Sequence, residues 1–312
     1  MAPTCERPAP SLLAALTAEP LERLASVARP LLATDDPEAV HDARVATRRL
    51  QQILTTLAPP PRAKEIARLG QSLRRVRRAL GEWRNYDVTL EAVAARRRGT
   101  RSPRRRALWD LVREHLEERR IDEMLRTRRS LLDEGLPSLP VRLRAVLTPL
   151  VESASTAEIA RRIRERAAVA WSDWQSTFAT AEARRDVPSI HALRIATKRL
   201  RYRAELAAAL ELPNAAAVVE WARRTQQRLG DWHDRQVLLR LLAETIARPE
   251  RMLADLELVQ TGLAELARVR DAALPDDPAI LEGVRAEGAR AVVEAWLGEP
   301  PAARSPSIFT KP

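Results

Sequence analysis

Two short stretches of the sequence carry the same arrangement of a histidine followed by basic side chains. Residues 41–50, HDARVATRRL, recur as residues 191–200, HALRIATKRL, with six of the ten positions identical. In each copy a basic residue follows the histidine at the third and at the seventh position. Histidine, arginine and lysine all donate hydrogen bonds to anionic oxygen atoms. The pattern is therefore typical of a site that holds a polyanion.

A second pair of motifs repeats in the same order and at nearly the same displacement. Residues 74–75 (RR) and 80–83 (LGEW) recur as residues 223–224 (RR) and 229–232 (LGDW). The displacement is 149 positions here and 150 positions for the histidine motifs. Internal repeats at a fixed spacing indicate repeated structural units. We therefore expect two related helical halves, near residues 11–135 and 150–296.

The composition predicts an all-α fold. Among the 312 residues only 9 are glycine, the commonest residues are strong helix formers, and no stretch alternates in the manner of a strand. Proline and short polar breaks divide the chain into about eight to ten helices, or about four in each half. Residues 1–10 are expected to form a disordered leader, and residues 297–312 a mobile tail.

Helical phasing separates the basic side chains of the first motif from its apolar ones. Asp36 and Pro37 form an N-cap signal, so the motif begins about one turn into a helix. At about 100° per residue, His41, Arg44 and Arg48 share one face. The second copy places His191, Arg194, Lys198 and Arg201 in the same way. The apolar positions opposite these faces are Ala46, Leu50, Ile53, Leu54 and Leu57 in the first copy and Ala196, Leu200 and Ala207 in the second.

The second motif contains three residues that need a structural explanation. Asp87 falls on the same side as the core positions Leu73, Val76, Leu80 and Trp83, where a carboxylate is costly unless it is paired. We expect it to pair with an arginine or histidine of the neighbouring motif helix. Gly81 and Gly230 lie within a helix, where each costs about 1 kcal/mol relative to alanine. Close approach of a second helix would compensate for that cost.

The positive charge is concentrated in the first 240 residues. The formal net charge is +11, yet residues 241–312 contain 12 acidic and only 8 basic residues. Almost all the basic residues are arginine, whose planar guanidinium grips phosphate oxygens in pairs. Codon bias in a GC-rich genome is an alternative explanation of this excess. Residues 92–109 hold seven arginines and no acid, and we expect a solvated, mobile basic connector there.

Several classes of protein are disfavoured by what the sequence lacks. One cysteine forms neither a disulfide framework nor a thiolate metal cage within one chain. No apolar run approaches the roughly 20 residues of a spanning helix, and no signal peptide is evident. Four histidines without a metal-ligand spacing give little metal signal. We therefore expect a cytoplasmic protein with no membrane segment, no metal and no cofactor.

Together these motifs resemble the CHAD family, the conserved histidine α-helical domain. The first half carries H-x-x-R-x-x-x-R-R-L from His41 and L-G-x-x-R-x-x-D-V from Leu80. The second half carries H-x-x-R-x-x-x-K-R-L-R-Y from His191 and L-G-D-x-H-D-x-x-V from Leu229. The family resemblance implies two pseudo-symmetric four-helix bundles in one domain over residues 11–296, with a central basic groove that binds inorganic polyphosphate. No E-x-E-x-K string of the often-fused triphosphate-tunnel domain is found, which suggests a stand-alone binding module.

The resemblance also implies which residues contact the ligand. Polyphosphate offers neither bases nor sugars, so charge-assisted hydrogen bonds would provide the recognition. Gly81, Asp87 and Gly230 are expected to be structural. The residues expected to bind polyphosphate are His41, Arg44, Arg48, Arg49, Arg74, Arg75, Arg78, His191, Arg194, Lys198, Arg199, Arg201, Arg223, Arg224 and Arg228.

Other functions remain as alternatives. Nucleic acid, RNA in particular, would satisfy the same phosphate contacts, although aromatic residues make up only 4% of the chain. A metal-dependent phosphohydrolase could use His41 with Asp42 or His233 with Asp234, but adjacent side chains on a helix point about 100° apart. A scaffold at the surface of a polyphosphate granule is compatible with binding. Each histidine could instead be a neutral helix residue bonded to a neighbouring helix. Our preferred hypothesis is polyphosphate binding without catalysis, in association with granules.

Overall fold

The computed structural model describes residues 12–58, 61, 63–248, 255–271, 277–286 and 288–298. Within these ranges all regular secondary structure is α-helical, which confirms the predicted fold class. The expected leader at residues 1–10 lies outside the described residues. So does the expected tail from residue 299 onward, whereas residues 297 and 298 end the last described helix and were wrongly assigned to the tail.

The described residues form twelve helices, more than the expected eight to ten because several are short. They are α1 (Leu12–Val27), α2 (Pro30–Ala33), α3 (Pro37–Leu57), α4 (Lys64–Arg98), α5 (Pro103–Asp133), α6 (Leu139–Glu152), α7 (Thr156–Arg184), α8 (Val187–Ala209), α9 (Ala215–Ile246), α10 (Leu256–Asp271), α11 (Asp277–Ala286) and α12 (Ala289–Gly298).

Both motif helices begin where the sequence indicates. The Asp36 carboxylate accepts a hydrogen bond from the backbone N–H of Glu38, and Pro37 is the first residue of α3. The Asp186 carboxylate likewise accepts from the N–H of Ser189 at the start of α8. Each cap satisfies one N–H that has no partner within its helix. The caps thereby fix the start of the helical face that carries each motif.

The core positions of both motifs are buried as predicted. All the apolar positions named for α3, α4 and α8 are buried, and Trp83 is fully enclosed. The burial pattern also extends the internal repeat to the helices that precede the motifs. The buried positions of α1 include Thr17, Pro20, Leu21 and Leu24, and the corresponding positions of α7, 150 residues later, are Ala167, Ala170, Trp171 and Trp174, also buried.

The chain divides into two compact units. Unit 1 comprises Met1–Ser153 and Asp231–Leu274, and unit 2 comprises Ala154–Gly230 and Pro275–Pro312. These units differ from the expected halves because the second part of α9 and all of α10 group with the N-terminal helices. The reason is a buried cluster in which Leu238, Leu241 and Leu242 of α9 pack with Trp109 of α5 and Val269 of α10. The groove implied by the family resemblance stays a prediction.

The arginine-rich stretch at residues 92–109 is not a mobile connector. It forms the end of α4 and the start of α5, joined by residues 99–102, and Ser102 caps α5. Several of its arginines are held by acids: Arg97 pairs with Asp110 at 2.5 Å, and Arg104 pairs with Glu257 at 2.5 Å. Arg105 pairs with the buried Glu265. The prediction failed because these acids lie outside the basic run, two of them on α10.

Candidate cation-lined site

In unit 1, Arg44 links the two motif helices through the backbone. Its Nη1 donates to the carbonyl oxygen of Gly81 at 3.1 Å, and lies 3.5 Å from that of Leu80. A methyl group at Gly81 would lie 4.0 Å from this nitrogen, which is ordinary contact, and at Gly230 it would meet no described atom within 4 Å. The expected close approach of a second helix at these glycines is therefore wrong. The carbonyl group of Gly81 itself accepts the hydrogen bond that orients Arg44.

The outer face of α4 presents exposed cations. Arg74 and Arg78 are exposed, and no ion pair is found for either within the described residues. Arg75, between them in sequence, instead forms a two-pronged pair with Glu134 at the end of α5, with Nη2 3.1 Å from Oε2. Arg74 and Arg78 are one turn apart, where like charges repel each other. An anion bridging them would relieve that repulsion.

On α3, the basic residues divide between two faces. His41 is exposed and Arg48 is half-buried, on the face that also carries Arg44. Arg49 lies on another flank and pairs with Glu19 of α1 at 2.6 Å. That pair supports the packing of α1 against α3, and the acid offsets the charge of Arg49. The structure therefore separates Arg49 from the other expected ligand residues of α3.

Asp87 is buried and paired, as its position in the sequence predicts. Its Oδ1 accepts from Nε of Arg120 at 2.6 Å, and the same guanidinium binds Asp35. The partner is on α5, so our expectation of a partner on the neighbouring motif helix was wrong. Burial raises the pKa of Asp87, whereas the hydrogen bond from Arg120 lowers the pKa of Asp35. The network joins α4, α5 and the start of α3.

In unit 2, the basic face of α8 creates a positive potential at its histidine. Partial burial lowers the pKa of His191, and the charges of Arg194 and Lys198 lower it further. Arg194 lies about one turn from His191 and Lys198 about two turns from it, on the same face of α8. Arg201, further along this helix, lies 3.4 Å from Glu205 and 5.0 Å from the ring of Tyr202.

A second group of arginines lies on another flank of α8 and includes one residue that sequence reasoning missed. Nη1 of Arg203 donates to the carbonyl oxygen of Arg199 at 2.8 Å. Burial lowers the pKa of Arg203, and the charges of Arg166 and Arg199 lower it further, against the opposing charge of Asp173. A comparison of the two repeats could have revealed Arg203. The positions 150 residues before Arg166 and Arg203 hold the apolar residues Leu16 and Ile53, so both positions change from apolar to basic between the repeats.

The first part of α9 adds three cations to unit 2. Arg223 is exposed and has no ion pair within the described residues. Arg224 lies 3.6 Å from Glu220, one turn earlier. The guanidinium of Arg228 packs against Gly283 of α11, where an added methyl group would lie 2.8 Å from Nη1. All three arginines are exposed, and Arg223 is the one with neither of these contacts.

The large aromatic side chains serve the core. All seven tryptophans are buried, and Trp171, Trp174 and Phe178 stack in sequence with centroids 5.1 Å apart. Nε1 of Trp174 donates to the hydroxyl of Thr197 on α8 at 2.9 Å. Trp171, Trp174 and Phe178 also line a pocket with residues of α11 and α12, but no tryptophan is exposed as a platform for stacking bases.

Two further properties of the described residues bear on the class of site. No group of three or more histidine, cysteine, aspartate or glutamate side chains is found there in an arrangement that could hold a metal ion. In the same part of the chain, every helix is too short or too polar to cross a membrane.

The fold and the site define an all-helical protein whose repeated motif helices carry arginine, lysine and histidine side chains at exposed and half-buried positions. The chain belongs to the CHAD domain family, because the family model matches residues 15–243. This result confirms the family resemblance inferred from the motifs.

A search of solved structures supports the same fold. The crystal structure of the CHAD domain from the plant Ricinus communis matches with a TM-score of 0.60 and 24% sequence identity, covering 90% of this chain and 90% of that chain. The similarity to it is a similarity of fold. A search of curated proteins found no match.

Proposed function

We propose that this protein binds inorganic polyphosphate through the cationic faces of its motif helices. The observation that carries the proposal is that Arg74 and Arg78, one turn apart on α4, are both exposed, with no ion pair found for either within the described residues. Like charges held together on one rigid helix face repel one another unless an anion is present. Membership of the CHAD family supports polyphosphate as that anion.

The residue types suit a ligand made only of phosphate units. Arginine and lysine donors on helices neutralise successive phosphates through charge-assisted hydrogen bonds. Exposed arginines with no ion pair within the described residues include Arg74 and Arg78 of α4 and Arg223 of α9. A flexible polyanion can contact such residues without reading any base. We therefore propose a binding role without catalysis.

The buried aromatic residues favour polyphosphate over single-stranded RNA. Sequence-independent binding of single strands usually combines a basic groove with aromatic side chains on which bases stack. Here every tryptophan is buried. The proposal therefore predicts that RNA competes for the cations but gains little from its bases.

The direct test is isothermal titration calorimetry with short, medium and long polyphosphate at several salt concentrations. We expect the affinity to rise with chain length and to fall steeply with salt, because each neutralised phosphate releases counterions. Equal affinity for short and long chains would contradict the proposal. A competition assay should show that RNA of equal charge displaces polyphosphate less effectively, and equal displacement would favour the alternative of RNA binding.

Two further measurements address the cellular and catalytic parts of the proposal. A fluorescent fusion should colocalise with polyphosphate granules in the cytoplasm, and should disperse when polyphosphate is depleted. Purified protein with polyphosphate and magnesium or manganese should release no phosphate. Release that disappears in His41→Ala would establish a phosphohydrolase instead.

A further inference from the structure

The outer face of α5 carries a row of exposed apolar side chains. Ile121, Leu125 and Leu132 are 52%, 45% and 57% exposed, although large apolar side chains of this kind are usually buried. At about 100° per residue they lie within about 40° of one another around the helix. The opposite side of α5 packs into unit 1 through Trp109 and Leu116. An aligned apolar row on a solvent face marks an interaction surface more often than scattered single residues do.

The charged residues on this face are distributed with opposite signs at its two ends. Glu114 and Glu118 are exposed on the N-terminal side of the apolar row. Arg129 is exposed on the C-terminal side, within the same sector of the helix. None of the three has an ion pair within the described residues. Both ends of the row therefore offer charges that remain available to a partner.

This pattern is complementary to itself when two copies of α5 run antiparallel. With the two-fold axis placed at residue 123, Ile121 of one copy opposes Leu125 of the other. By symmetry, Leu125 of the first copy opposes Ile121 of the second. Glu118 of one copy then lies within one residue of the level of Arg129 of the other, about 1.5 Å along the helix axis, on the same side of both helices. Leu132 reaches the methylene groups of Glu114. A two-fold interface requires a surface that matches its own copy in this way.

We propose that the face of α5 formed by Glu114, Glu118, Ile121, Leu125, Arg129 and Leu132 binds the same face of a second copy of this chain. Antiparallel helices with these apolar contacts bury a short seam, and the two Glu118–Arg129 pairs fix its register and direction. The seam spans about 18 residues, or about 27 Å of helix. An interface of this length is smaller than those of permanent dimers, so the association is reversible and depends on protein concentration.

The distribution of charge favours a second copy as the partner. A partner helix of uniform charge would meet one matching end of the face and one repelling end. The second copy places Arg129 near Glu118 of this face and Glu118 near Arg129. It also supplies an apolar row of equal length. A different partner protein would need the same pattern by coincidence.

The first experiment is sedimentation velocity of the full chain over a wide range of concentration at low salt. We expect the wild-type protein to shift from monomer to dimer as the concentration rises. Leu125→Glu, which places a carboxylate at the centre of the seam, should remain monomeric. The matched control is Val169→Glu on α7, a residue 62% exposed and outside the seam, which should dimerise as wild type does. Circular dichroism confirms that each variant is folded.

The second experiment distinguishes this seam from any other mode of self-association. Glu118→Arg and Arg129→Glu each place like charges opposite one another twice in a dimer, so each variant should weaken self-association about tenfold or more. An equimolar mixture of the two variants restores both opposite-charge pairs and should dimerise as wild type does. The double variant within one chain should do the same.

The results that would overturn the proposal are equally specific. A wild-type protein that stays monomeric throughout the concentration range contradicts it. So does a dimer that Leu125→Glu leaves intact, or a mixture of Glu118→Arg and Arg129→Glu that fails to recover. The outcome is independent of polyphosphate binding, because the substituted residues lie outside the proposed ligand residues and the measurement contains no ligand.

Discussion

The guanidinium of Arg105 donates two hydrogen bonds, of 2.7 and 2.9 Å, to the carboxylate of Glu265. The two residues are 160 positions apart in the chain, on α5 and α10, and Glu265 is only 1% exposed. A member of the most basic stretch of the sequence is therefore a structural residue. Arg105 holds α10, in the second chain segment of unit 1, against α5 in the first segment.

Replacing this arginine should destabilise the protein markedly. Arg105→Met keeps the length of the side chain but leaves a buried carboxylate without one of its partners, and we expect a loss of about 3 kcal/mol in the free energy of unfolding. The control is Arg104→Met, whose pair with Glu257 is exposed and should contribute less than about 1 kcal/mol. Urea denaturation followed by circular dichroism measures both. Equal losses would show that burial of Glu265 has no special role.

The same pair predicts how stability depends on pH. Burial by itself would raise the pKa of Glu265, but the hydrogen bonds from Arg105 lower it below its ordinary value. A carboxyl group with a lowered pKa stabilises the folded state above its unfolded pKa of about 4.3 and loses that contribution as the pH falls through the folded pKa. Wild-type protein should therefore lose stability below about pH 4.3 more steeply than Glu265→Gln. Parallel curves for the two proteins would contradict this assignment.

The network around Arg120 gives a second test of stability. Asp87→Ala removes a buried partner while Asp35 still holds the guanidinium, so we expect a loss of about 2 kcal/mol, less than for a pair with no second acid. Asp122→Ala, on the exposed side of α5, should change stability by less than about 0.5 kcal/mol. Thermal denaturation of both variants gives the comparison.

The exposed cations of α4 predict a defined change in the salt dependence of binding. The double variant Arg74→Ala, Arg78→Ala should weaken polyphosphate binding and lower the slope of log affinity against log salt by roughly 1.4, or roughly 0.7 for each phosphate that is no longer neutralised. Arg161→Ala on α7, an exposed arginine held by Glu158 and Glu165, is the matched control and should leave the slope unchanged. An unchanged slope in the double variant would remove α4 from the binding surface.

The lowered pKa of His191 predicts that the protein takes up a proton when it binds polyphosphate. Because burial and the neighbouring cations lower its pKa, His191 is mostly neutral near pH 7 in the protein without ligand. A bound polyanion favours the protonated form and raises that pKa. Affinity should therefore rise as the pH falls from about 7 toward about 6, and the rise should be smaller in His191→Gln. Calorimetry in buffers of different ionisation enthalpy counts the protons, and a count of zero in wild type would contradict this role.

The sequence predicted the features that depend on local pattern. Helical periodicity identified the buried positions of α3, α4 and α8, and the aspartates at positions 36 and 186 marked the starts of two helices. The need to pair a buried Asp87 was also predictable, because the cost of burying a carboxylate is the same in any fold. These properties are determined within a few turns of one helix.

The features that the sequence did not predict depend on distant partners. Arg120 could not be identified as the partner of Asp87, nor Glu265 as the partner of Arg105, because helix packing brings these residues together. Arg49 and Arg75 look equivalent to their basic neighbours in the sequence, yet acids from other helices hold both. The grouping of residues 231–274 with the first unit likewise depends on tertiary contacts rather than on the repeat.

The hydrogen bond from Arg44 to the Gly81 carbonyl has a consequence for the thermodynamics of binding. A hydrogen bond to a backbone carbonyl fixes this guanidinium without adding an opposing charge, as a carboxylate would. An arginine loses up to about 2 kcal/mol of side-chain conformational entropy when it is immobilised. For Arg44 much of that loss has already occurred during folding. A polyanion therefore meets a preorganised donor, and contact with it costs less entropy than contact with a mobile arginine.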